Sequence, residues 1–349
     1  MPTDTANSFG EFDLIERYFS RHKTPDLSEQ NSAEGSINFL LGVGDDCALL
    51  SPPMLGDVLA VTTDMLVEGR HFLPGADPEK LAHKCLAVNL SDLAAMGAKP
   101  IAFTLSLALP KINEPWLEKF SNGLYALADT YHCKLIGGDT TSGPLTISIT
   151  AFGEVNPREA LRRSGAVAND DIWISNVVGD ARLALGHLRG EWPLKPEVLK
   201  RTQARMDTPT ARVALGLALR QVANSAIDIS DGLLGDLRHI LKASKLNAQV
   251  LIDDVPVSKD LADSSLELKR LCSLKGGDDY ELCFTAPEFN REIIEGISKS
   301  LDIKLTRIGK VTSATDTFGN IELFDGDKQL LDKELTSRYL GSFDHFKRN

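Results

Sequence analysis

The sequence lacks the signatures of several common enzyme classes. Its 349 residues contain no GxxxxGK[ST] phosphate loop, no GxGxxG dinucleotide fingerprint, no GxSxG elbow and no HExxH metal motif. The five cysteines stand far apart and form no CxxC pair, which argues against a disulfide framework and against a zinc site. We therefore predict that they are small core residues of a protein in a reducing compartment.

Long apolar runs and an excess of positive charge are also absent. No eighteen apolar residues run together, and the stretch MPTDTANSFGEFDLIERYF has acidic residues but no apolar h-region. These features predict a soluble, cytoplasmic protein without a membrane partner. The 38 lysines and arginines against 49 aspartates and glutamates give a formal net charge of −11, which argues against nucleic acid as a partner.

Length and patterning predict two domains of mixed α/β class. A chain of 349 residues exceeds the size at which one hydrophobic core usually stops growing. Strand-like and helical segments alternate in both halves. The polar stretch NPREALRRSGAVAND places the boundary near residue 156, giving domains 1–155 and 156–349. We expect a helix at 9–19, a long helix from about Thr210, and a strand pair formed by LTRIGKV and NIELFD.

Aspartates recur at the ends of apolar, strand-like runs. They stand in GVGDDCALL (Asp45, Asp46), VLAVTTD (Asp64), KLIGGDTTSG (Asp139), AIDISDG (Asp228, Asp231) and LKGGDDYELCF (Asp278, Asp279). One such stretch would be an ordinary turn, but the repetition predicts a shared site. Carboxylates suit Mg²⁺, which binds protein oxygens together with substrate phosphates, so an acidic protein can hold a polyphosphate through bridging cations. Phosphoryl transfer fits such a site.

Several of these candidates also have an ordinary structural interpretation. Asp64 could cap a turn, and Asp92, near the unfavourable end of a helix dipole, could form a salt bridge. The double glycine before Asp139 could belong to a simple turn. Ser230 or the aspartates beside it could cap the following helix, which would account for one of those three residues.

The ordered set of motifs resembles the bacterial thiamine-monophosphate kinases, which are members of the aminoimidazole ribonucleotide synthetase-like superfamily. The motifs are GVGDDCALL, TTDMLVEGRHF, VNLSDLAAMGAKP, IGGDTTSGPL, RRSGA, NSAIDISDGLLGDL, GGDDYELCF and FDHF, in order from about Phe9 to Phe346. The resemblance implies the two-domain fold of that superfamily, with an N-terminal domain that binds ATP and Mg²⁺ and dimerises, and a C-terminal α/β domain. It implies a kinase of thiamine biosynthesis that passes the γ-phosphoryl group of ATP directly to thiamine monophosphate as a cytoplasmic homodimer.

The same resemblance implies roles for particular residues, none of which forms a covalent intermediate. The implied ligands of several Mg²⁺ ions are Asp46, Thr62, Thr63, Asp64, Asp92, Asp139, Asp228 and Asp231. The implied ATP contacts are Gly138, Asp139, Arg163 and Ser230. The implied contacts with thiamine monophosphate are His71, Asp278 and Phe343.

Three positions depart from the family pattern. Asp278 stands where a glutamate is usual and is one methylene shorter. The usual RPxPR stretch reads MDTPTAR, which leaves Arg212 to keep the second arginine. Phe343 replaces a commoner tyrosine or tryptophan and keeps only the stacking surface. Taken singly, His71 and Arg163 are also typical of exposed structural residues, and Phe343 of a hydrophobic pin.

Two other interpretations remain open at this stage. The chain could be another ATP-using member of the superfamily: an aminoimidazole ribonucleotide synthetase, a selenophosphate synthetase or a hydrogenase-maturation protein. Selenophosphate synthetase is disfavoured because no reactive cysteine precedes a glycine-rich basic loop. A non-catalytic binder on the same scaffold should have lost several carboxylates, and all the expected ones are present.

Overall fold

The structure is a computed structural model that describes Leu14 and residues 17–19, 39–41, 49–50 and 56–340. The chain divides into two compact units. The first comprises Met1–Asn89 and Pro100–Glu154, and the second comprises Leu90–Lys99 and Val155–Asn349. Residues 90–99, which lie inside the predicted N-terminal domain, therefore belong to the second unit.

Strands and helices alternate along the described chain, as the sequence predicts. The strands are β1 (Phe39–Leu41), β2 (Leu49–Leu50), β3 (Val58–Val67), β4 (Lys99–Leu109), β5 (Lys134–Ser142), β6 (Thr146–Val155), β7 (Asp171–Ser175), β8 (Ser225–Asp228), β9 (Asn247–Leu251), β10 (Leu282–Ala286), β11 (Leu305–Thr312) and β12 (Ile321–Phe324). The helices are α1 (Pro78–Ala95), α2 (Glu114–Thr130), α3 (Asp180–Leu188), α4 (Pro196–Asp207), α5 (Val213–Ala218), α6 (Leu233–Ser244), α7 (Lys259–Ala262), α8 (Leu266–Lys275), α9 (Arg291–Leu301) and α10 (Lys333–Tyr339). The predicted mixed α/β class is confirmed.

The first unit is built on a four-stranded sheet in the order β3-β6-β4-β5. Strands β4 and β5 are parallel, and β1 pairs with β2 in a separate antiparallel ribbon. Helix α2 begins at Asn113, whose side chain accepts the amide of Trp116. At Gly123 it comes so close to α1 that a Cβ atom would lie 2.1 Å from the carbonyl oxygen of Glu79.

The second unit is built on a six-stranded sheet in the order β12-β9-β11-β7-β10-β8. Its neighbouring strands are antiparallel except for β12 and β9, which are parallel. The β7 and β10 side chains of Trp173 and Phe284 stack with ring centroids 6.3 Å apart. Helix α6 buries Leu233, Leu237 and Leu241 in the core that covers this sheet. This packing fixes where β8 ends and α6 begins.

Two predicted elements are wrong. The helix expected from about Thr210 is not long: it is the six-residue α5, Val213–Ala218, and the chain leaves helical geometry by Gln221, whose φ is +61°. Strands β11 and β12 do not pair with each other, since both lie against β9. Of the helix predicted at 9–19, Leu14 and residues 17–19 are helical, and Phe12 and Ile15 lie outside the described residues.

The cysteines behave as predicted where they are described. Cys85, Cys133, Cys272 and Cys283 are buried free thiols, and Cys47 lies outside the described residues. Burial raises the pKa of Cys272 to about 12 and raises the pKa of the other three further. Thiols of this kind are inert. Among the described helices, none has the length and apolar character needed to cross a membrane.

Candidate functional site

The end of strand β8 carries the first predicted ligand in the second unit. Asp228 is the last residue of the strand and is 4% exposed. The Ser91 hydroxyl donates a hydrogen bond to Asp228 Oδ2 at 2.8 Å. Asp92 follows Ser91 in the last turn of α1, a turn that has no basic residue to offset the helix dipole. The end of β8 thus lies against the last turns of α1 through Ser91, which the sequence analysis missed.

The loop between β8 and α6 is organised by Asp236, which the sequence analysis also missed. The amides of Ser230, Asp231 and Gly232 each donate to Asp236 Oδ2 at 3.1 Å. The N-cap of α6 is Gly232, which makes no side-chain capping bond, so the capping alternative for Ser230 and its neighbours is wrong. Burial raises the pKa of Asp236 to about 7, Asp231 adds to the rise, and the amides oppose it.

The GGDDY segment lies directly against this loop. The Asp278 amide donates to the Ser230 carbonyl at 2.8 Å, and the Tyr280 amide donates to the Ile229 carbonyl at 2.9 Å. The backbone at Gly277 can come this close to the backbone at Ser230 only because it has no side chain: a Cβ atom there would lie 2.2 Å from the Ser230 carbonyl oxygen. Ser230, a predicted ATP contact, is therefore adjacent to Asp278, a predicted substrate contact.

Asp278 has an unusual backbone that accounts for one departure from the family pattern. Its φ is +70°, in the left-handed region, where aspartate is found more readily than most residues with a Cβ atom. The Tyr280 hydroxyl donates to Asp278 Oδ1 at 3.0 Å, and Tyr280 itself has a φ of +53°. The shorter side chain thus fits the backbone conformation at this position.

The two acidic residues that follow Asp278 anchor the segment to the sheet and to helix α3. The Gly179 amide donates to both carboxylate oxygens of Asp279 at 2.9 Å. Burial raises the pKa of Asp279 well above its usual range, and neighbouring carboxylates add to the rise against the Gly179 bond. Glu281 is 2% exposed and accepts two bonds from Arg212, at 2.5 and 2.6 Å. Arg212 is therefore engaged in holding the start of β10.

Arg163 and Asp231 lie around a common neighbour on α6. Burial lowers the pKa of His239, the positive charges of Arg163 and Lys242 lower it further, and Asp231 opposes them. A charged side chain shifts the pKa of a histidine in this way only when it lies near the imidazole ring. The Arg163 side chain is exposed, while its carbonyl accepts the Ser244 hydroxyl at 3.3 Å. The Ala226 amide on β8 donates to the Arg162 carbonyl at 3.0 Å, so the segment that carries Arg163 lies alongside the strand that leads into the Asp231 loop.

In the first unit, Thr62, Thr63 and Asp64 lie within β3. The strand does not end at Asp64, as the sequence predicted, but continues to Val67. The strand stays extended because it pairs with β6. In addition, the Asp64 amide donates to Asn89 Oδ1 at 3.2 Å, and the Ser148 hydroxyl donates to the Asp64 carbonyl at 3.2 Å. Alternation along the strand places the Thr62 and Asp64 side chains on one face and Thr63 on the other.

Gly138 and Asp139 lie within β5, so their interpretation as a turn is wrong. The β4–β5 pairing continues through the glycines, with Gly138 opposite Leu105 and Asp139 opposite Ser106, after a register shift at Phe103. A Cβ atom on Gly138 would lie 1.8 Å from the Leu105 carbonyl oxygen. Since β6 and β4 stand between β3 and β5, strand pairing does not make Asp64 and Asp139 neighbours.

His71 lies just after β3, and its Nδ1 atom accepts a backbone amide. The Val67 amide donates to His71 Nδ1 at 3.0 Å. A nitrogen that accepts an amide carries no proton, so in the neutral ring the proton is on Nε2. His71 can then present an N–H donor to an anion. Asp46 and Phe343 lie outside the described residues. Within the described part of the chain, no three His, Cys, Asp or Glu side chains cluster closely enough to hold a metal ion.

Family models match both parts of the chain. The N-terminal domain of AIR synthase related proteins matches residues 44–155, and their C-terminal domain matches residues 184–321. The two matches together cover more than half of the chain and define it as an AIR synthase related protein.

Relatives narrow this class. The thiamine-monophosphate kinase of Salmonella typhimurium is 45% identical over 87% of this chain and 91% of that protein. The crystal structure of thiamine-monophosphate kinase from Stenotrophomonas maltophilia is 42% identical, with a TM-score of 0.79 over 90% of this chain and 96% of that one. AaThiL complexed with AMPPCP and TMP is 26% identical, with a TM-score of 0.69 over 93% and 95% of the two chains. This chain belongs to the thiamine-monophosphate kinase family and is a kinase, which confirms the resemblance.

Proposed function

We propose that this chain transfers the γ-phosphoryl group of ATP directly and in line to the phosphate of thiamine monophosphate, giving thiamine diphosphate, as a Mg²⁺-dependent cytoplasmic homodimer. The observation that carries the proposal is the adjacency of Ser230 and Asp278 through the Asp278 amide and the Ser230 carbonyl. Phosphoryl transfer depends mainly on positioning the two substrates. A site where a nucleotide contact adjoins an acceptor contact supports direct transfer.

The charged and polar groups of the site have complementary roles in this proposal. The exposed Arg163 guanidinium binds the nucleotide phosphates, and the Nε2–H of His71 donates to the acceptor phosphate. Asp278, oriented by Tyr280, and Phe343 hold the thiamine part of the acceptor. Gly138 and Asp139 on β5 contribute to the nucleotide site.

The predicted metal ligands fit magnesium in their chemistry. They are carboxylate and hydroxyl oxygens, which are the hard donors that Mg²⁺ prefers. Mg²⁺ usually takes one or two carboxylates, several waters and substrate phosphates, so it does not need a closed cage of protein groups. When bound, it would neutralise charge on the phosphates. Asp92 and Asp228 would hold it in the second unit, with Asp231 nearby. In the first unit Asp64 and Thr62 would do so through side chains on one face of β3, and Thr63, whose side chain lies on the other face, through its backbone carbonyl.

Product analysis tests the activity. The purified protein is incubated with Mg²⁺ and ATP and, in parallel, with thiamine monophosphate, thiamine or aminoimidazole-pathway substrates, and ADP and thiamine diphosphate are separated by chromatography. We expect equal amounts of ADP and thiamine diphosphate with thiamine monophosphate only. ADP release with an aminoimidazole-pathway substrate alone would assign a different reaction. With ATP chiral at the γ-phosphorus, direct transfer predicts inversion, whereas retention would indicate a phosphoenzyme.

Ser230 should contact the nucleotide through its hydroxyl. Its amide donates to Asp236 and its carbonyl accepts from Asp278, so both backbone groups are engaged within the protein. A hydrogen bond to a charged group contributes about 1.5–3 kcal/mol, so Ser230→Ala should raise KM for ATP by about tenfold to hundredfold. Ser230→Thr keeps the hydroxyl and should stay within about threefold of the native value. Equal KM values for the alanine and threonine variants would contradict this role.

The exposed face of β3 is the proposed interface of the homodimer. Leu59, Val61, Thr63 and Met65 share this face, and Val61 and Met65 are 56% and 57% exposed. An apolar edge strand invites pairing with another chain, and a second copy supplies a matching apolar face.

A charge on this face should separate the subunits. We expect light scattering to give a dimer mass for the native protein and a monomer mass for Val61→Asp, because the new carboxylate would be buried without a partner. Ile293→Asp is the matched control, since Ile293 is 52% exposed on α9 in the other unit. A Val61→Asp protein that keeps the dimer mass would exclude this face as the interface.

A further inference from the structure

We propose that Asp236 is a positioning residue of the kinase reaction, which holds the loop between β8 and α6 in the conformation that presents Ser230 and Asp231 to ATP. The proposal rests on the proposed function, in which these two residues contact the nucleotide and its metal. Asp236 itself is 3% exposed and lies one turn inside α6, so it acts through the loop and does not touch the nucleotide.

The first observation is that three successive amides converge on one oxygen. Backbone amides at the start of a helix form an anion-binding site, which often binds a phosphate. Here a carboxylate of the chain occupies this anion-binding site, since the amides of Ser230, Asp231 and Gly232 all donate to Asp236 Oδ2. A phosphate of ATP therefore does not bind these amides, and recognition falls to the side chains.

The second observation is that the other backbone groups of the loop are also engaged. The carbonyls of Ile229 and Ser230 accept the amides of Tyr280 and Asp278, and the Ile229 amide donates to the Glu281 carbonyl at 2.8 Å. The loop is thus fixed on one side by the GGDDY segment and on the other by Asp236. Removing Asp236 would release the second side and leave three amides without their acceptor.

Steady-state kinetics and calorimetry of ATP binding on full-length variants test the proposal. For Asp236→Ala we expect KM and Kd for ATP to rise by about tenfold to hundredfold, which is the loss of the Ser230 contact. KM for thiamine monophosphate should rise less than threefold, because Gly179 still holds Asp279. Asp236→Asn should stay within about threefold of the native KM, because its amide oxygen accepts the same three amides.

A double variant and a structural control separate positioning from stability. Ser230→Ala should add no further rise in KM for ATP on top of Asp236→Ala, because the hydroxyl is already misplaced. Asp171→Ala removes another fully buried carboxylate, which lies on β7 of the same sheet and accepts hydrogen bonds from Arg291 at the start of α9. That control should lower the melting temperature without changing KM for ATP. If Asp236→Ala does not fold, Asp236→Ser makes the same comparison, since its shorter hydroxyl cannot serve all three amides.

Two results would overturn the proposal. One is an unchanged KM for ATP in Asp236→Ala with a lowered melting temperature, which would make Asp236 purely structural. The other is a loss in Asp236→Asn as large as in Asp236→Ala, which would show that the charge matters and the acceptor does not. Failure of the proposed function looks different, because the native protein would then release no ADP with thiamine monophosphate.

Discussion

Replacing Gly138 with alanine should disrupt strand β5, with a loss of at least about 3 kcal/mol in the free energy of unfolding. The φ of Gly138 is +151°, and a Cβ atom would lie 1.8 Å from the Leu105 carbonyl oxygen in the paired strand β4. Neither strand can retreat without breaking the pairing that continues to Ser142. We expect the melting temperature to fall by roughly 6–12 °C, since 1 kcal/mol corresponds to about 2–4 °C in domains of this size.

The neighbouring glycine is the matched control. A Cβ atom on Gly137 would meet nothing within 4 Å. Gly137→Ala should therefore change the free energy of unfolding by less than about 1 kcal/mol, in either direction. Calorimetry on both variants decides the matter. Equal losses at the two positions would show that the β4–β5 register differs from the one described, and a stable Gly138→Ala protein would show that β5 can shift.

Replacing Asp228 with asparagine should lower kcat by more than about a hundredfold while the melting temperature holds or rises. Asparagine keeps the shape of the side chain, and its oxygen can still accept the Ser91 hydroxyl. What it removes is a buried negative charge. Because burying a negative charge costs free energy, its loss favours the fold, while the same loss harms the site. The Mg²⁺ concentration for half-maximal rate should rise in parallel.

The opposite pattern is expected at Asp171, a buried aspartate at the start of β7. Its carboxylate is paired with Arg291 at 2.6 Å, so Asp171→Asn should lower the melting temperature and leave the Mg²⁺ requirement unchanged. Kinetics over a range of Mg²⁺ concentrations, with calorimetry on the same samples, distinguishes the two positions. If Asp228→Asn loses stability and keeps its activity, Asp228 is a structural partner of Ser91 and the proposed metal site is wrong there.

Elements with a clear periodicity could be predicted from the sequence. The spacing of Leu86, Leu90, Leu93 and Met96 before Gly97 predicts a helix, and the three leucines are buried in α1. Met96 lies beyond the last residue of α1 and is 38% exposed. Strands β4 and β6 follow from alternation. These signals are local, so one segment contains all the information that the prediction needs.

Residues whose conformation depends on a distant partner could not be placed in this way. Asp64 was expected at the end of a strand and Asp139 at a turn, yet both lie inside strands because neighbouring strands hold the backbone extended. Ser230 and Asp278 are adjacent although their segments are far apart in sequence, and no local sequence pattern predicts this contact. Glu281 did carry a signal, since a glutamate at the start of an apolar strand needs a buried partner, which is Arg212.

The loop between β8 and α6 is held in place by residues that come later in the chain, and this order limits when the loop can fold during synthesis. Strand β8 pairs only with β10 among the described strands, and the loop carbonyls are bonded to Asp278 and Tyr280. A nascent chain must therefore leave the ribosome beyond β10 before the loop can close, although every residue that contacts ATP in the proposed site has been synthesised by Asp231. Since a ligand stabilises only the state that binds it, ATP cannot guide the early stages of folding. ATP in the cell can therefore stabilise this loop only after β10 has been synthesised.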